Sequence, residues 1–398
     1  MKFLKYFLLI CLFFFTLSSP CKSANSQGFE KNLEKVIKAC NQFAFDLYKS
    51  LKNKRKNVLI SPYSIDIALA MTFEGAYNET KKEIEKVLHI PFNEIKVYYL
   101  KLIKSTNISK KDCILKTANG MWVQQGFKVL SSYKNTIKTY YLAEIKSTDF
   151  KHDPEGSRRK INKWVYKKTE KKIKEVIPKR GINKLTRLVL VNAIYFKGKW
   201  LKKFNKKLTH EEPFYVSANK TIKVKMMQKK GIFNYAEDEK FQVLELPYKG
   251  KEISMIIFLP KKVDSKLDLT LSEFYSLISK FKKTDLMVFI PKFKLKEGYN
   301  LKPVLYEMGI KKAFTYEADF SRIDGKKDLL IQNVFHKAFV SVDEEGTEAA
   351  ASTAVVIGLK AIPRFKVFKV NHPFLFFIVD KKADFLILFL GKVKVLRL

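Results

Sequence analysis

Apolar residues recur at helical spacing through the first part of the chain. From Leu33 to Leu51 they return every three or four positions, which predicts an amphipathic helix. Ser61 and Pro62 then place a capping hydroxyl and a proline at a helix start, so a second helix is expected to run to Gly75. Three more helices are predicted over residues 80–88, 94–105 and 157–174, the last with one heavily charged face.

The pattern changes to short apolar runs in the second half. Residues 188–196 are almost all apolar or β-branched, which predicts a central strand. Further strands are predicted over residues 243–246, 253–259 and 286–293, followed by a hairpin of 374–379 and 385–390 with a charged turn. No linker rich in proline, glycine or serine divides the chain, so we expect one α+β domain over residues 24–398.

The N-terminus changes the expected location of the protein. Lys2 and Lys5 precede an apolar run from Tyr6 to Leu17, and small and polar residues follow to Ser23. This order predicts a secretory signal peptide over residues 1–23, because the run is too short to span a bilayer comfortably. We therefore expect a secreted, extracellular protein.

The charge of the chain points to anionic partners. Its 398 residues carry a formal net charge of +38, and 46% are apolar, enough for a sizeable core. Secretion argues against nucleic acid and favours a glycosaminoglycan or an anionic cell surface. The alternative is that the lysines are only spread over a solvated surface.

Motifs for catalysis and metal binding are missing from the sequence. The five histidines show no metal-ligand spacing, and no nucleotide-binding or nucleophile motif is found, so we expect neither an enzyme nor a metal site. Cys40 and Cys113, which follow the signal peptide, could pair or remain as buried thiols. Sequons mark three candidate glycosylation sites, although Thr80 and Glu83 also fit a helix capping box: Asn78, Asn107 and Asn219.

One stretch, residues 342–361, differs from the rest of the chain. Its acidic turn ends at Gly346, and from there to Gly358 every residue except Glu348 is small or β-branched. Such a composition indicates an exposed, loosely held loop that could become a strand if a sheet opened to accept it. An ordinary linker or an edge strand is the alternative.

The order of residues in this stretch resembles the reactive-loop hinge of the serpins, the serine protease inhibitor family. The likeness rests on EEGTEAAASTA at 344–354, and this order of residues is most similar to that of antithrombin-type members. Similar segments extend over nearly the whole chain after the signal: SPYSI at 61–65, INKWV at 161–165, NAIYFKGKW at 192–200, FHKAF at 335–339 and NHPFL at 371–375.

The resemblance implies a fold of about nine helices around three β-sheets, with an exposed reactive-centre loop over about residues 344–366. It also implies a mechanism in which a protease cuts the loop, is held as an acyl-enzyme, and is carried away as the loop inserts into a five-stranded sheet. Inserted residues would alternate, with Thr347 among those facing inward under a covering helix. The hinge residues are Glu344, Gly346, Thr347, Glu348, Ala349, Ala350, Ala351, Ser352 and Thr353.

The family's spacing places the reactive bond between Lys360 and Ala361. A lysine there suits trypsin-like proteases, whose pocket ends in a carboxylate. Arg364 is the second candidate and Leu359 a weaker one, and both basic residues could be solubilising charges instead.

Three further groups carry over from the resemblance. The cluster beneath the point where the sheet parts, here called the sheet-opening cluster, comprises Ser61, Ser64, Asn192 and His336. The region where insertion begins is Trp200, Lys292 and Glu344, with a Lys–Glu pair. Candidate polyanion-binding residues, which could equally form a solvated face, are Lys101, Lys104, Lys110, Lys111, Arg158, Arg159, Lys160 and Lys163.

These features predict a secreted suicide inhibitor of trypsin-like serine proteases. We expect a monomer without a cofactor, except for a glycosaminoglycan such as heparin. The small hinge residues argue against the main alternative, a non-inhibitory serpin-fold polyanion-binding or carrier protein. Inhibition of a cysteine protease is a third hypothesis.

Overall fold

The computed structural model describes residues 21–106, 109–110, 112–347 and 366–396, and the side chains of 21–26 and 109–110 lie outside that description. The predicted signal peptide therefore falls almost entirely outside the described residues. Within them are nine α-helices: α1 Cys21–Leu51, α2 Pro62–Gly75, α3 Asn78–Val87, α4 Lys96–Thr106, α5 Ser131–Tyr140, α6 Pro154–Lys168, α7 Leu271–Ser279, α8 Lys302–Met308 and α9 Ser321–Asp324.

The same residues contain sixteen β-strands. They are β1 Val58–Ile60, β2 Ser109–Lys110, β3 Cys113–Gln124, β4 Glu144–Thr148, β5 Leu188–Lys199, β6 His210–Ser217, β7 Lys220–Glu237, β8 Phe241–Pro247, β9 Ile253–Pro260, β10 Lys282–Pro291, β11 Phe293–Asn300, β12 Asn333–Val342, β13 Gly346–Thr347, β14 Lys366–Lys369, β15 Phe374–Asp380 and β16 Leu386–Val393.

The helix α2 has the bounds that its sequence predicts. The Ser61 hydroxyl accepts a hydrogen bond from the Ser64 backbone N–H, and Pro62 occupies the first turn. The helix lies almost wholly inside the protein. It therefore packs against strands of both sheets, namely β3, β5 and β16.

Two helix predictions were wrong in detail. The helix α6 ends at Lys168, not at 174, and Glu170 and Lys171 just beyond it have positive φ angles. The capping box at Thr80 is absent, because Thr80 lies inside α3 and its hydroxyl accepts a hydrogen bond from the Asp319 backbone N–H.

A seven-stranded sheet is built around β5. This strand pairs with β3 on one side and with β12 on the other, and β4 and β11 lie beyond them, so its prediction as a central strand is confirmed. The single strand predicted over 286–293 was wrong. It is two strands in different sheets, β10 and β11, which separate at Lys292.

A nine-stranded sheet supports the other side of the core. Its strand β7 pairs with β6 over Lys220–Met226, with β10 over Met226–Tyr235 and with β8 over Asn234–Glu237. The described strands therefore form two hydrogen-bonded sheets rather than the three that the resemblance implies, because β7 joins the strands around β10 to those around β8 in one continuous sheet. The predicted hairpin is present as β15 and β16.

The core lies in two parts on opposite faces of the seven-stranded sheet. The larger part includes alternate side chains of β5, such as Leu190 and Ile194, together with α1 and α2. The smaller part lies under α6, where Ile161 and Val165 pack on Val191. The fold is α+β, and none of the described helices has the length and apolar character needed to cross a membrane.

Candidate functional site

The short strand β13 lies between β5 and β12 at one end of the seven-stranded sheet. Gly346 and Thr347 pair with Lys199 and Gly198 of β5, and Thr347 also pairs with Val342 of β12, antiparallel in both cases. Farther along, β12 and β5 pair directly and in parallel, from Asn333 opposite Val189 to Phe339 opposite Tyr195. This direct pairing is called the seam below. The first hinge residues therefore already form a strand at the head of the seam.

Most of the predicted loop lies outside the described residues, which resume at 366. This applies to the hinge residues from Glu348 to Thr353 and to the candidate reactive residues Leu359, Lys360, Ala361 and Arg364. The beginning of the stretch contradicts its interpretation as exposed and loosely held, because Glu344, Glu345 and Thr347 are buried.

Gly346 is needed where the chain enters the sheet. A Cβ atom there would lie 2.0 Å from the carbonyl oxygen of Gly198 and 2.6 Å from the Cα of Lys199. No side chain can be accommodated against backbone at that distance. Glycine therefore allows the hinge to lie flat against β5.

Thr347 faces the larger core. Its partner Gly198 shares a face of β5 with Phe196, and both Phe196 and Tyr248 belong to that core. The Thr347 and Tyr248 hydroxyls are 2.7 Å apart. The inward orientation expected for Thr347 is confirmed, but the prediction that it lies under a covering helix was wrong, because α6 covers the opposite face of the sheet.

An aromatic pair supports the acidic turn that precedes β13. The ring of Trp200 stacks on Tyr248 with centroids 4.5 Å apart, and its indole N–H donates to the carbonyl oxygen of Asp343 at 2.9 Å. The backbone N–H of Trp200 donates to Glu345 and that of Phe204 to Glu344. The turn is thereby held by hydrogen bonds to the backbone carbonyl oxygens of Asp343, Glu344 and Glu345.

The Lys–Glu pair expected near Trp200 is present in the structure. The Lys292 ammonium lies 2.7 Å from Oε2 of Glu344, whose Oε1 accepts a hydrogen bond from the Thr209 hydroxyl at 2.8 Å. Burial would raise the pKa of the Glu344 carboxyl, but these two partners outweigh it and hold the pKa below its usual value. Glu344 is therefore a buried, ionised anchor for the hinge.

The four residues of the sheet-opening cluster lie together in the structure. His336 and Asn192 are opposite each other across the seam, and His336 Nδ1 is hydrogen-bonded to Asn192 Oδ1. The Ser61 backbone N–H donates to His336 Nε2 at 3.1 Å. Since Nε2 must accept that bond, Nδ1 carries the proton and donates to Asn192. Burial lowers the pKa of His336 to about 3, so the ring is neutral.

Asn119 is a fifth member that the sequence did not reveal. Its Oδ1 accepts hydrogen bonds from Asn192 Nδ2 at 2.6 Å and from the Ser64 hydroxyl at 3.0 Å. Ser61 in turn donates to the carbonyl oxygen of Leu388 at 2.6 Å. The cluster therefore ties α2 and β3 to the two seam strands, and separating β5 from β12 would break it.

The basic candidates whose side chains are described lie on two helices, α4 and α6. Lys101 and Lys104 are exposed on α4, and Lys111 and the side chain of Lys110 lie outside the described residues. Arg159, Lys160 and Lys163 are exposed on α6. Arg158 was wrongly included, because it is buried and its guanidinium lies 2.7 Å from Glu155 and 2.6 Å from Glu175.

The remaining candidates are dispersed. Asn219 is exposed in the turn between β6 and β7, whereas the Asn78 amide donates to Asp319 at 3.0 Å, and Asn107 lies outside the described residues. Cys40 and Cys113 are both buried, and no disulfide joins them. Across the described ranges, no group of three or more histidine, cysteine or acidic side chains could hold a metal ion.

The chain is similar to known proteins over most of its length. The family model described as Serpin (serine protease inhibitor) matches residues 38–395. An uncharacterized serpin-like protein of Thermococcus kodakarensis is 39% identical over 95% of this chain and 89% of its own length. Human Serpin B3 is also 39% identical, over 90% of this chain and 99% of its own. The bovine leukocyte elastase inhibitor is 39% identical over 91% and 99%.

Two solved structures show the same fold. Serpin48 of the insect Tenebrio molitor, described as a highly specific serpin, superposes with a TM-score of 0.80 at 34% identity, covering 91% of this chain and 98% of its own. Human thyroxine-binding globulin in complex with thyroxine superposes with a TM-score of 0.84 at 29% identity, covering 92% of this chain and 100% of its own. The fold is thus shared with a serpin described as highly specific and with a protein named for binding thyroxine.

Proposed function

The chain belongs to the serpin family, whose members are protease inhibitors rather than enzymes, and we propose that it is a secreted suicide inhibitor of trypsin-like serine proteases. The observation that carries this proposal is β13. Gly346 and Thr347 are already paired at the head of the seam, with the small side chain of Thr347 turned into the core. The chain is thereby positioned to continue as a strand between β5 and β12.

Loop insertion has a favourable energetic basis in this sheet. The seam is a parallel pairing, whereas β13 runs antiparallel to both of its neighbours. Extending β13 would replace one parallel ladder with two antiparallel ladders, which are slightly more stable per residue and add backbone hydrogen bonds. Cleavage of the loop removes the constraint that prevents this extension.

The residues after Thr347 suit the two faces of an inserted strand. Continuing the register of β13, Ala349, Ala351 and Thr353 would follow Thr347 toward the larger core. Glu348, Ala350 and Ser352 would face the side that α6 covers. Four small residues on the core face make deep insertion sterically feasible, which distinguishes this hinge from one that a bulky or charged residue would block.

The target class rests on Lys360. Its ammonium would pair with the carboxylate at the base of a trypsin-like specificity pocket. Secretion rests on the residue order at 1–23, and glycosaminoglycan binding on the exposed lysines of α4 and α6. The bovine relative is named for elastase, and that target is not carried over, because this chain has a lysine at the expected position.

A trapping assay with matched variants tests the proposal. The protein is incubated with trypsin, separated on a denaturing gel, and the released fragment is sequenced. We expect a complex that survives boiling in SDS, with a fragment that begins at Ala361. Lys360→Ala should abolish the complex, whereas Arg364→Ala should retain it.

The other outcomes have definite meanings. A fragment that begins at Phe365 would move the reactive bond to Arg364. Cleavage without a stable complex would contradict inhibition, and a non-inhibitory binding or carrier function would then be favoured.

A further inference from the structure

A cavity of about 590 Å³ lies at the C-terminal end of α1, away from the seam. It is enclosed by the end of α1 and the loop to β1, the end of β6, the loop from β9 to α7 and the end of β16. None of its lining residues belongs to the hinge, the sheet-opening cluster or the basic face of α6. It is therefore a separate feature of the fold.

The lining of this cavity is strongly cationic. Residues 52–56 contribute four basic side chains, and Lys266, Lys392 and Lys394 contribute three more, against only two carboxylates. Its volume lies in the range of roughly 300–1,000 Å³ typical of small-molecule sites. A site with this charge selects for anions.

Both carboxylates are already engaged. Asp264 accepts a hydrogen bond from the Ala218 backbone N–H at 3.2 Å, and Asp268 forms an ion pair with Lys52. Lys54 pairs with Glu307 outside the cavity. Four exposed cations of the lining have no carboxylate partner within the part of the chain that the structure describes: Arg55, Lys56, Lys266 and Lys394.

The cationic loop after α1 is held in place. The Asn57 side chain donates to the carbonyl oxygen of Val395 at 2.7 Å and accepts hydrogen bonds from the backbone of Lys394 and Val395, each at 2.9 Å. Lys392, only 7% exposed, donates its ammonium to the carbonyl oxygens of Lys52 and Arg55. The backbone that carries these like charges is therefore fixed in place.

The second cationic loop is fixed in the same way. The Tyr48 hydroxyl donates to the carbonyl oxygen of Leu267 at 2.7 Å, next to Lys266. Burial, together with Lys394 and Lys52, lowers the pKa of Lys392 to about 8, which is consistent with an excess of positive charge in the free protein. An anion would relieve this repulsion without a large ordering cost, because the walls are already fixed.

We propose that this cavity binds a small, multiply charged phosphate or sulfate ester. Two or more anionic groups would be met by the unpartnered cations on facing loops. Asp264, Asp268 and Glu307 interrupt the positive charge around the cavity, so it suits a compact ligand better than a long polyanionic chain. The site does not depend on protease inhibition.

The test uses two compact probes, inositol hexakisphosphate and sucrose octasulfate, titrated calorimetrically into the purified protein at about 0.15 M salt, where screening limits nonspecific attraction. We expect saturable binding at one site. The double variant Lys266→Gln/Lys394→Gln should weaken it by at least about tenfold, since two charge-assisted contacts are lost. Both side chains are exposed, and the buried Lys392 is left intact.

The matched control is Lys134→Gln/Lys138→Gln, which removes the same charge from the exposed face of α5, outside the cavity and outside the candidate polyanion-binding residues, and should change affinity less than about twofold. Binding of only the phosphate or only the sulfate probe would identify the ester class. Equal weakening in both variants would reduce the effect to net charge and overturn the proposal. Unchanged affinity in the cavity variant, or no saturable binding of either probe, would overturn it as well.

Discussion

The hydroxyl groups of Thr347 and Tyr248 lie 2.7 Å apart, and both side chains are fully buried. Tyr248 also stacks on Trp200, which binds the carbonyl oxygen of Asp343 on the other side of the acidic turn. One aromatic pair thus contacts both ends of the turn that leads into β13. The start of the hinge is held in the sheet by specific contacts before any protease acts.

The first prediction measures this contact by a double-mutant cycle. Tyr248→Phe and Thr347→Val should each lower the free energy of unfolding by about 1 kcal/mol, because each leaves a buried hydroxyl without its partner. The double variant should cost less than the sum, with a coupling near 1 kcal/mol. Urea titrations provide the measurement. Tyr248→Phe combined with the remote Thr169→Val should be additive, and additivity in the Thr347 pair would contradict a direct bond.

The second prediction concerns the side chain that enters the core. Thr347→Arg should leave cleavage of the loop intact but reduce the trapped fraction of trypsin by about tenfold or more, because a buried guanidinium without a partner opposes insertion. Counting trapped protease per molecule of cleaved inhibitor measures the effect. Thr347→Ser, which keeps the hydroxyl, should trap nearly as well as the parent. Equal trapping by Thr347→Arg would contradict the requirement for a small, uncharged side chain at the start of the inserted strand.

Local patterns in the sequence predicted the elements that local physics determines. The helix α2 was predicted to the residue because a serine cap, a proline and a run of apolar residues coincide there. The strand β5 was recognised because it is buried on both faces. By contrast, β10 and β11 were merged, since their apolar residues are continuous and only the tertiary fold sends them to different sheets.

The residues of the candidate site divide in the same way into those that the sequence indicated and those that only the tertiary fold brings together. The resemblance supplied the sheet-opening cluster and the Lys292–Glu344 pair, and the structure brings their members into contact. Tyr248 and Asn119 were missed because each meets its partner far along the chain, 99 residues away for Thr347 and 73 for Asn192. Arg158 was misassigned because periodicity does not reveal that two glutamates enclose it.

The third prediction uses the unequal exposure of the Lys292–Glu344 pair. The Lys292 side chain is 34% exposed and that of Glu344 is 4% exposed. Lys292→Met should therefore cost about 1–3 kcal/mol of stability, since it leaves a buried carboxylate with Thr209 as its remaining side-chain partner. Glu344→Gln should cost less, because the released ammonium can reach water. Urea titrations of both variants measure the two losses of stability, and equal losses would contradict this prediction.

The last prediction concerns the protonation of His336. Its pKa falls from 6.5 to about 3 on burial, so below pH 6.5 the unfolded chain takes up a proton that the folded protein does not. The free energy of unfolding is therefore unaffected by protonation of this histidine above pH 6.5 and decreases as the pH falls from 6.5 toward 3. The slope for one proton is about 1.4 kcal/mol per pH unit. His336→Gln should remove this slope, so the stability difference between parent and variant should shrink with acidity.

A matched control separates titration from the loss of hydrogen bonds. Ser64→Ala removes a hydroxyl of the same cluster, which is bonded to Asn119, without changing a titratable group. Its stability should be lower than that of the parent by a nearly constant amount from pH 7 to pH 4. If His336→Gln also gave a constant difference over that range, the ring would not be kept neutral by burial. A shrinking difference would instead mean that acid destabilises the protein because the histidine that joins β12 to β5 and α2 takes up a proton readily only in the unfolded chain.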